Sequence, residues 1–352
     1  MESGNDADHV TTPDEFARLF ADRVNRTIAA LVAVNRPVPT MSPSEFLVVG
    51  FLGKGTFGSV FAAVRAGTSG TELYAIKAFS KRRILNSETA AVFEYRLRNV
   101  QTEIAFLSAM DWEFIVKLHY VSRNNAYVYL VLEFLPGGTL YGVLSRRRLS
   151  QNDVRFFAAQ IVLALEYLHA SRIVHRDLKP ANLLIGADGY LKLADFGLAG
   201  IIGANDGLVG TYEYMAPEMF NDRPCQPTTD WWSLGIIVYE LLIRHRPFYS
   251  SPLTQLQNSI VHSPLTFPET CNLTDTARDF IYNLLQKSPF DRLGFGYNGS
   301  MRVKTHPFFA RIEWVKLYMK KYKPTIPPKI TAMQPVDEDY ELYPDSNLLP
   351  DL

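Results

Sequence analysis

Two lysines, two aspartates and an asparagine carry the strongest chemical signal in this chain. Asp177, Lys179 and Asn182 fall together in His175-Arg176-Asp177-Leu178-Lys179-Pro180-Ala181-Asn182, Asp195 opens Asp195-Phe196-Gly197, and Lys77 closes Ala75-Ile76-Lys77. Upstream lies Gly53-Lys54-Gly55-Thr56-Phe57-Gly58, whose glycine amides can approach phosphate without side-chain obstruction. Such a glycine run alone is weak, because it fits nucleotide loops on different folds and also a simple tight hairpin. In a dinucleotide-binding unit the loop opens a helix. Here Ser59-Val60-Phe61-Ala62-Ala63-Val64 reads as a strand, so an oxidoreductase of that kind is excluded. The loop is a flap between two strands, with Lys77 on a third strand below it.

The glycine loop, Lys77, the 175–182 run, Asp195-Phe196-Gly197 and Ala216-Pro217-Glu218 stand in the order and approximate spacing of the protein-kinase signature set. The sequence resembles the AGC group of Ser/Thr protein kinases over residues 14–343. Segments 156–163 and 166–169, Asp230-Trp231-Trp232 and His306-Pro307-Phe308-Phe309 are most similar to its cAMP-dependent branch. The resemblance implies transfer of the ATP γ-phosphate, with Mg²⁺, to Ser/Thr hydroxyls of protein substrates. A pseudokinase or nucleotide-binding scaffold is the alternative, although the lysine and both aspartates that such proteins lose are all here.

The chemistry explains the residue types. A triphosphate carries several charges and asks little covalent work of the protein, so positioning and neutralisation dominate. Lys77 would hold the α- and β-phosphates. Glu103, directly before Ile104-Ala105-Phe106-Leu107, would fix its head, with Glu94 as second choice. Asp195 and Asn182 would supply oxygen ligands to Mg²⁺. Asp177 would accept the proton of the attacking hydroxyl, Lys179 would neutralise the phosphoryl group and favour Ser/Thr over tyrosine, and Thr211 joins this catalytic set. By the same likeness, adenine would lie between Leu52, Val60 and Ala75 above and Leu184 below. Leu132 would be the gatekeeper, the backbone of Glu133 and Leu135 would bind the adenine edge, and Gly53, Gly55 and Gly58 would cover the phosphates. Glu218 is expected to pair, buried, with Arg292, and Asp230 to cap a core helix and hold the His175-Arg176 backbone. His175 is read as a packed core histidine.

The sequence also departs from the resemblance. The position of the usual activation-loop threonine is Gly207, and the lysine expected after the 195–197 motif is Gly200. Either Asp206 partly replaces the phosphate opposite Arg176, or the loop needs none. Among the acidic positions that bind upstream arginines of a substrate, two are Thr139 and Ala181, while Glu213 and Glu240 remain. A weakened basic preference is expected. The tail keeps Pro327-Pro328 and Asp339-Tyr340, which would reach the nucleotide cleft, but has Val336 where an aromatic is expected. It lacks a terminal Phe-x-x-Phe, so a partner or regulatory subunit, or the N-terminal helix, would fill the small-lobe groove.

These residues need a frame. Phe16, Leu19, Phe20, Val24, Ile28, Leu31 and Val32 recur mostly at intervals of three and four, which predicts an amphipathic helix over 14–34, with Thr12 or Asp14 at its start. Three antiparallel strands over 46–77, a helix carrying Val100, Ile104 and Leu107, and strands at 115–120 and 127–134 make a small lobe. Helices at 153–170, 231–243 and 276–285 make a larger one. The fold class is α+β: a bilobal protein kinase fold with a five-stranded antiparallel N-lobe and a mainly helical C-lobe. Its parts are a leading helix and linker (1–45), a catalytic body (46–309, with lobes 46–134 and 139–309) and a tail (310–352).

Composition sets outer bounds. The 352 residues hold 36 Lys+Arg against 36 Asp+Glu, which argues against nucleic acid or anionic membrane as a bulk electrostatic partner. With 47% apolar and 12% aromatic residues the chain can build a large core. Cys225 and Cys271 are its two cysteines, too few for a disulfide framework or a cysteine zinc site. An acidic start without a signal pattern, Glu at position 2 and no long apolar run lead to the expectation of a cytoplasmic protein, also entering the nucleus, with no membrane anchor.

Overall fold

The computed structural model describes residues 10–33, 38–55, 58–67, 72–204, 207–221, 224–326, 328 and 333–335. The first helix, α1 (Pro13–Val32), opens on a reciprocal cap: Glu15 N donates to Thr12 Oγ1 at 3.2 Å and Thr12 N to Glu15 Oε2 at 2.9 Å. Thr12 rather than Asp14 therefore starts it. The small lobe follows as β1 (Phe46–Lys54), β2 (Gly58–Arg65), β3 (Leu73–Ser80), α2 (Lys81–Leu85), α3 (Ala90–Ala109), β4 (Leu118–Arg123) and β5 (Tyr127–Glu133). The five strands pair in the order β1-β2-β3-β5-β4, antiparallel throughout.

Strand period sorts the side chains onto two faces. Phe61, Ile76 and Val131 stand opposite one another and build an outer cluster with Phe46, Tyr74, Ala78 and Tyr129. Val60, Lys77 and Leu130 stand opposite one another on the other face, as do Ala62, Ala75 and Leu132. The fourth strand begins later than the sequence pattern suggests. Residues 114–116 instead pair across to the other lobe, Val116 N donating to Leu193 O at 2.9 Å and Leu193 N to Phe114 O at 2.8 Å. The apolar pattern around Ile115 thus reports two different partners.

The large lobe comprises α4 (Leu140–Arg146), α5 (Gln151–Ala170), β6 (Ile173–Val174), β7 (Leu183–Ile185), β8 (Leu191–Leu193), β9 (Gly200–Ile201), α6 (Pro227–Ile243), α7 (Leu253–His262), α8 (Asp275–Leu284), α9 (Gly299–Lys304) and α10 (Trp314–Tyr318). Helix α5 starts at a Ser150–Asp153 capping box and α8 at a Thr274 cap, slightly ahead of the apolar periodicity, because first turns are polar. Helix α6 is buried on nearly every side, with Trp231 and Trp232 in the core, so its sequence is mostly apolar and its polar residues, Asp230 and Glu240 among them, are buried too. Among the described residues no helix is long and apolar enough to cross a membrane.

One apolar core runs through both lobes. Helix α1 joins it through Phe16 and Phe20, which meet Trp112 and Tyr318, while Trp112 stacks on Tyr167 of α5 at 4.9 Å. The tail also spans the lobes. Tyr322 N donates to Tyr190 Oη at 3.0 Å, Thr325 bonds Asp153, and Gln334 pairs with Phe51 of β1 in both directions.

Candidate active site

Helix α3 places one carboxylate on an otherwise apolar stripe. Asn99, Val100, Glu103, Phe106 and Leu107 are its buried face, and Glu103 meets Lys77 of β3 with both oxygens, at 2.7 and 2.8 Å. Lys77 Nζ also donates to Asp195 Oδ1 at 2.9 Å. Burial works against the Lys77 ammonium, but Glu103 and Asp195 outweigh it and hold its pKa above the usual value. Lys77 holds the Asp195 carboxyl below the ordinary range, and burial pushes Glu103 up to about 7 against the pull of Lys77. Glu94 takes no part in this cluster.

Across the cleft, Asp177 is held from both oxygens. Thr211 Oγ1 donates to its Oδ1 at 2.6 Å, Lys179 Nζ to its Oδ2 at 2.7 Å, and Lys179 Nζ also to Thr211 Oγ1 at 2.8 Å. Asn182 Nδ2 donates to the Asp177 carbonyl at 2.9 Å, which leaves the oxygen end of its amide as a ligand donor. The backbone here is set by fully buried Asp230 of α6, whose carboxylate accepts from His175 N (2.9 Å), Arg176 N (3.0 Å) and His169 Nε2 (2.9 Å). Burial alone would raise the Asp230 carboxyl, and these donors bring it below the usual range instead. Arg176 and Asp195 sit at φ +66° and +65°, a left-handed conformation that non-glycine residues adopt at a cost of about 1–3 kcal/mol. Asp230 offsets that cost at Arg176. His175 is core, its ring edge-on to Phe196 at 5.0 Å.

Arg176 turns to the segment after Asp195. Its Nε and Nη2 donate to the carbonyls of Leu198 (2.6 Å) and Ala199 (2.9 Å), and a Cβ on residue 200 would lie 2.7 Å from its Cζ. Gly200 therefore leaves room for the guanidinium to lie against the chain, which a side chain there would have to displace. Asp206, the expected stand-in for a phosphate, lies outside the described residues, as do Val336, Asp339 and Tyr340. Lower in the lobe, Arg292 clasps Glu218 with two parallel bonds at 2.5 and 2.8 Å, both side chains buried.

These walls enclose a cavity of about 340 Å³ lined by Gly55, Gly58, Val60, Lys77, Glu103, Asp177, Lys179, Asp195 and Thr211. The family model described as protein kinase domain matches residues 46–309. The chain belongs to the protein kinase family. It is 37% identical over 298 residues to a probable serine/threonine-protein kinase of Dictyostelium discoideum, covering 83% of this chain and 62% of that protein. It is 36% identical over 320 residues to human ribosomal protein S6 kinase alpha-2, covering 89% of this chain and 42% of that one. With the RAC serine/threonine-protein kinase of Drosophila melanogaster it shares 37% over 298 residues, 83% of this chain and 47% of the relative. The chain thus spans less than two thirds of the length of each.

Within this kinase domain the glycines of the flap differ in their reasons. A Cβ on Gly58 would lie 1.8 Å from Ala78 O, so the sheet itself requires glycine there. A Cβ on Gly53 would meet nothing within 4 Å, and one on Gly55 only Gly58 O at 3.8 Å. Those two spaces are open for a ligand rather than for the fold. Leu52 sits in a bulge between Phe51 and Gly53, which turns it out of the sheet register. Leu52, Val60, Ala75, Leu135 and Leu184 are half-buried, and Leu132 is buried behind them. The Glu133 N–H is bonded to Lys117 O at 3.0 Å and so is not available to a ligand edge. Its carboxylate pairs with Lys192 at 2.7 Å, a contact the motifs do not announce.

The two carboxylates expected on the substrate side are already engaged. Tyr214 Oη donates to Glu240 Oε2 at 2.6 Å, and Glu213 Oε1 pairs with Arg246 Nη1 at 3.3 Å. Thr139 caps α4, accepting from Gly142 N at 3.1 Å, and Ala181 is exposed. Arg246, like Tyr95 and Asn99 on the cleft wall, belongs to no motif. Only the fold brings it to the site.

Proposed function

We propose that this chain is an ATP-dependent, AGC-type Ser/Thr protein kinase acting on protein substrates with Mg²⁺. The observation that carries the reading is the arrangement of two charged sets on facing walls of one cavity: Lys77–Glu103–Asp195 on one side and Asp177–Lys179–Thr211 on the other. The residues fit Mg-ATP. A cation lining the same cavity as Gly55 and Gly58 suits polyphosphate, and the Asp195 carboxylate with the Asn182 amide oxygen suits a hard cation. Bound Mg²⁺ would supply charge neutralisation between the β- and γ-phosphates. Lys77 would orient the phosphates, Asp177 would orient and deprotonate the acceptor hydroxyl, and Lys179 would stabilise charge on the transferring group. The Ser/Thr acceptor is supported by Lys179 and by the serine/threonine-protein kinases among the relatives. The likeness to the cAMP-dependent branch rests on the sequence segments alone. A pseudokinase is not favoured, since each charged residue of the transfer chemistry is in place.

The test is phosphate transfer from Mg-ATP to Ser-, Thr- and Tyr-containing peptides, wild type against Asp177→Asn. Transfer to Ser/Thr, reduced about 10²–10⁴-fold in the variant, is expected. Equal rates in the two proteins, or transfer to tyrosine alone, would overturn the assignment.

A further inference from the structure

We propose that Arg246 is a specificity-determining residue: a resident guanidinium that pairs with Glu213 beside the acceptor site, so that this kinase selects Ser/Thr substrates without requiring an upstream arginine. The inference rests on the kinase reading above and concerns which peptides that site takes.

The position of the pair follows from the chain. Thr211 bonds Asp177, where the acceptor hydroxyl must lie, and Glu213 comes two residues later in the turn Tyr212–Tyr214. Two residues span at most about 7 Å, the reach of a substrate side chain two or three positions from the acceptor. Glu213 and Arg246 are partly exposed, 31% and 25%, so their pair faces incoming peptide. The Arg246 guanidinium lies 6.0 Å over the Tyr214 ring and 5.9 Å from that of Tyr249. Tyr214 carries the story inward, since its hydroxyl bonds Glu240, which is only 7% exposed.

Both carboxylates, Glu213 and Glu240, are therefore committed. Glu240 has a neutral donor inside the lobe, and Glu213 has a cation from its own chain. Arg246 is held there by its surroundings. Helix α6 ends at Arg244 with φ +73°, and Pro247 and the buried Phe248 fix the chain just beyond. A substrate arginine would break one guanidinium–carboxylate contact to make another and would meet a like charge on approach. The exchange gives no selection.

The experiment uses the intact chain and two Ser peptides identical except for Arg or Ala at the positions two and three before the acceptor. Wild type is expected to give kcat/KM values within about threefold of each other. Arg246→Ala should raise the Arg/Ala ratio about tenfold or more, mainly through a lower KM for the arginine peptide. Arg246→Gln, which keeps bulk and hydrogen bonding, should move it the same way. Adding Glu213→Gln to Arg246→Ala should remove the gain. A wild-type arginine preference of tenfold or more, or a ratio unmoved in both single variants, would overturn the inference while leaving the kinase reading intact. No transfer to either peptide by wild type would overturn both.

Discussion

Glu103 is the residue in the Lys77 cluster whose charge changes near neutrality. Lys77 stays protonated because its two carboxylate partners hold it up, and Asp195 stays ionised because Lys77 holds it down. Glu103, with its pKa raised by burial to about 7, ionises only as the pH rises through that value. Above it the carboxylate pairs with Lys77. Below it the proton removes the partner, and the lysine head loses its second anchor. The expected outcome is an acidic limb in kcat/KM for ATP centred near pH 7, the free-enzyme value. Glu103→Gln should abolish that limb and lower the plateau about 10²-fold, the scale of a misplaced positioning group. A limb unchanged in the variant would assign the titration elsewhere. This residue was legible in the sequence because Lys77 needs an acidic partner and Glu103 directly precedes the apolar run Ile104-Ala105-Phe106-Leu107 of the next helix.

At the scale of elements, the β1–β2 flap separates what the fold needs from what a ligand needs. A side chain on Gly58 would run into the carbonyl of Ala78 on the neighbouring strand, while Gly53 and Gly55 border open space at ordinary backbone angles. Gly53→Ala should therefore leave stability unchanged or raise it by about 0.4–1 kcal/mol, yet raise KM for ATP about tenfold. Gly58→Ala should lower the melting temperature. Equal thermal effects at both positions would refute the distinction. The run of glycines showed the flap but not this division, which depends on a neighbouring strand. The same holds elsewhere. Strands β2, β3 and β5 announced themselves as short apolar runs, whereas residues 114–116 are also an apolar run and paired with the other lobe. Asp177, Asn182 and Asp195 could be read from spacing because loops of fixed length carry them. Arg246 could not, because only the packing of α6 brings it to Glu213.

The whole molecule is held by segments outside the lobes as much as by the lobes. Helix α1 contacts the end of α3 through Thr27, whose hydroxyl donates to Ala109 O at 3.3 Å and shares a 2.5 Å bond with Tyr167 of α5. Phe16 and Phe20 fill the space between Trp112 and Tyr318, at 4.9 Å from Tyr318 and 5.5 Å from Trp112 respectively. One helix thus ties α3, which carries Glu103, to the large lobe and to α10. Truncating both rings should cost about 2–4 kcal/mol, less than full core deletions because each is partly exposed. If α1 also sets the position of α3, Phe16→Ala with Phe20→Ala should lower kcat at temperatures where the protein remains folded. Arg18→Ala on the exposed face should change neither within about 0.5 kcal/mol. Denaturant unfolding followed by fluorescence, with kcat measured below the transition, separates the effects. Lost stability with unchanged kcat would make α1 a packing element only, whereas loss of both would make it part of what aligns Glu103 with Lys77 across the cleft.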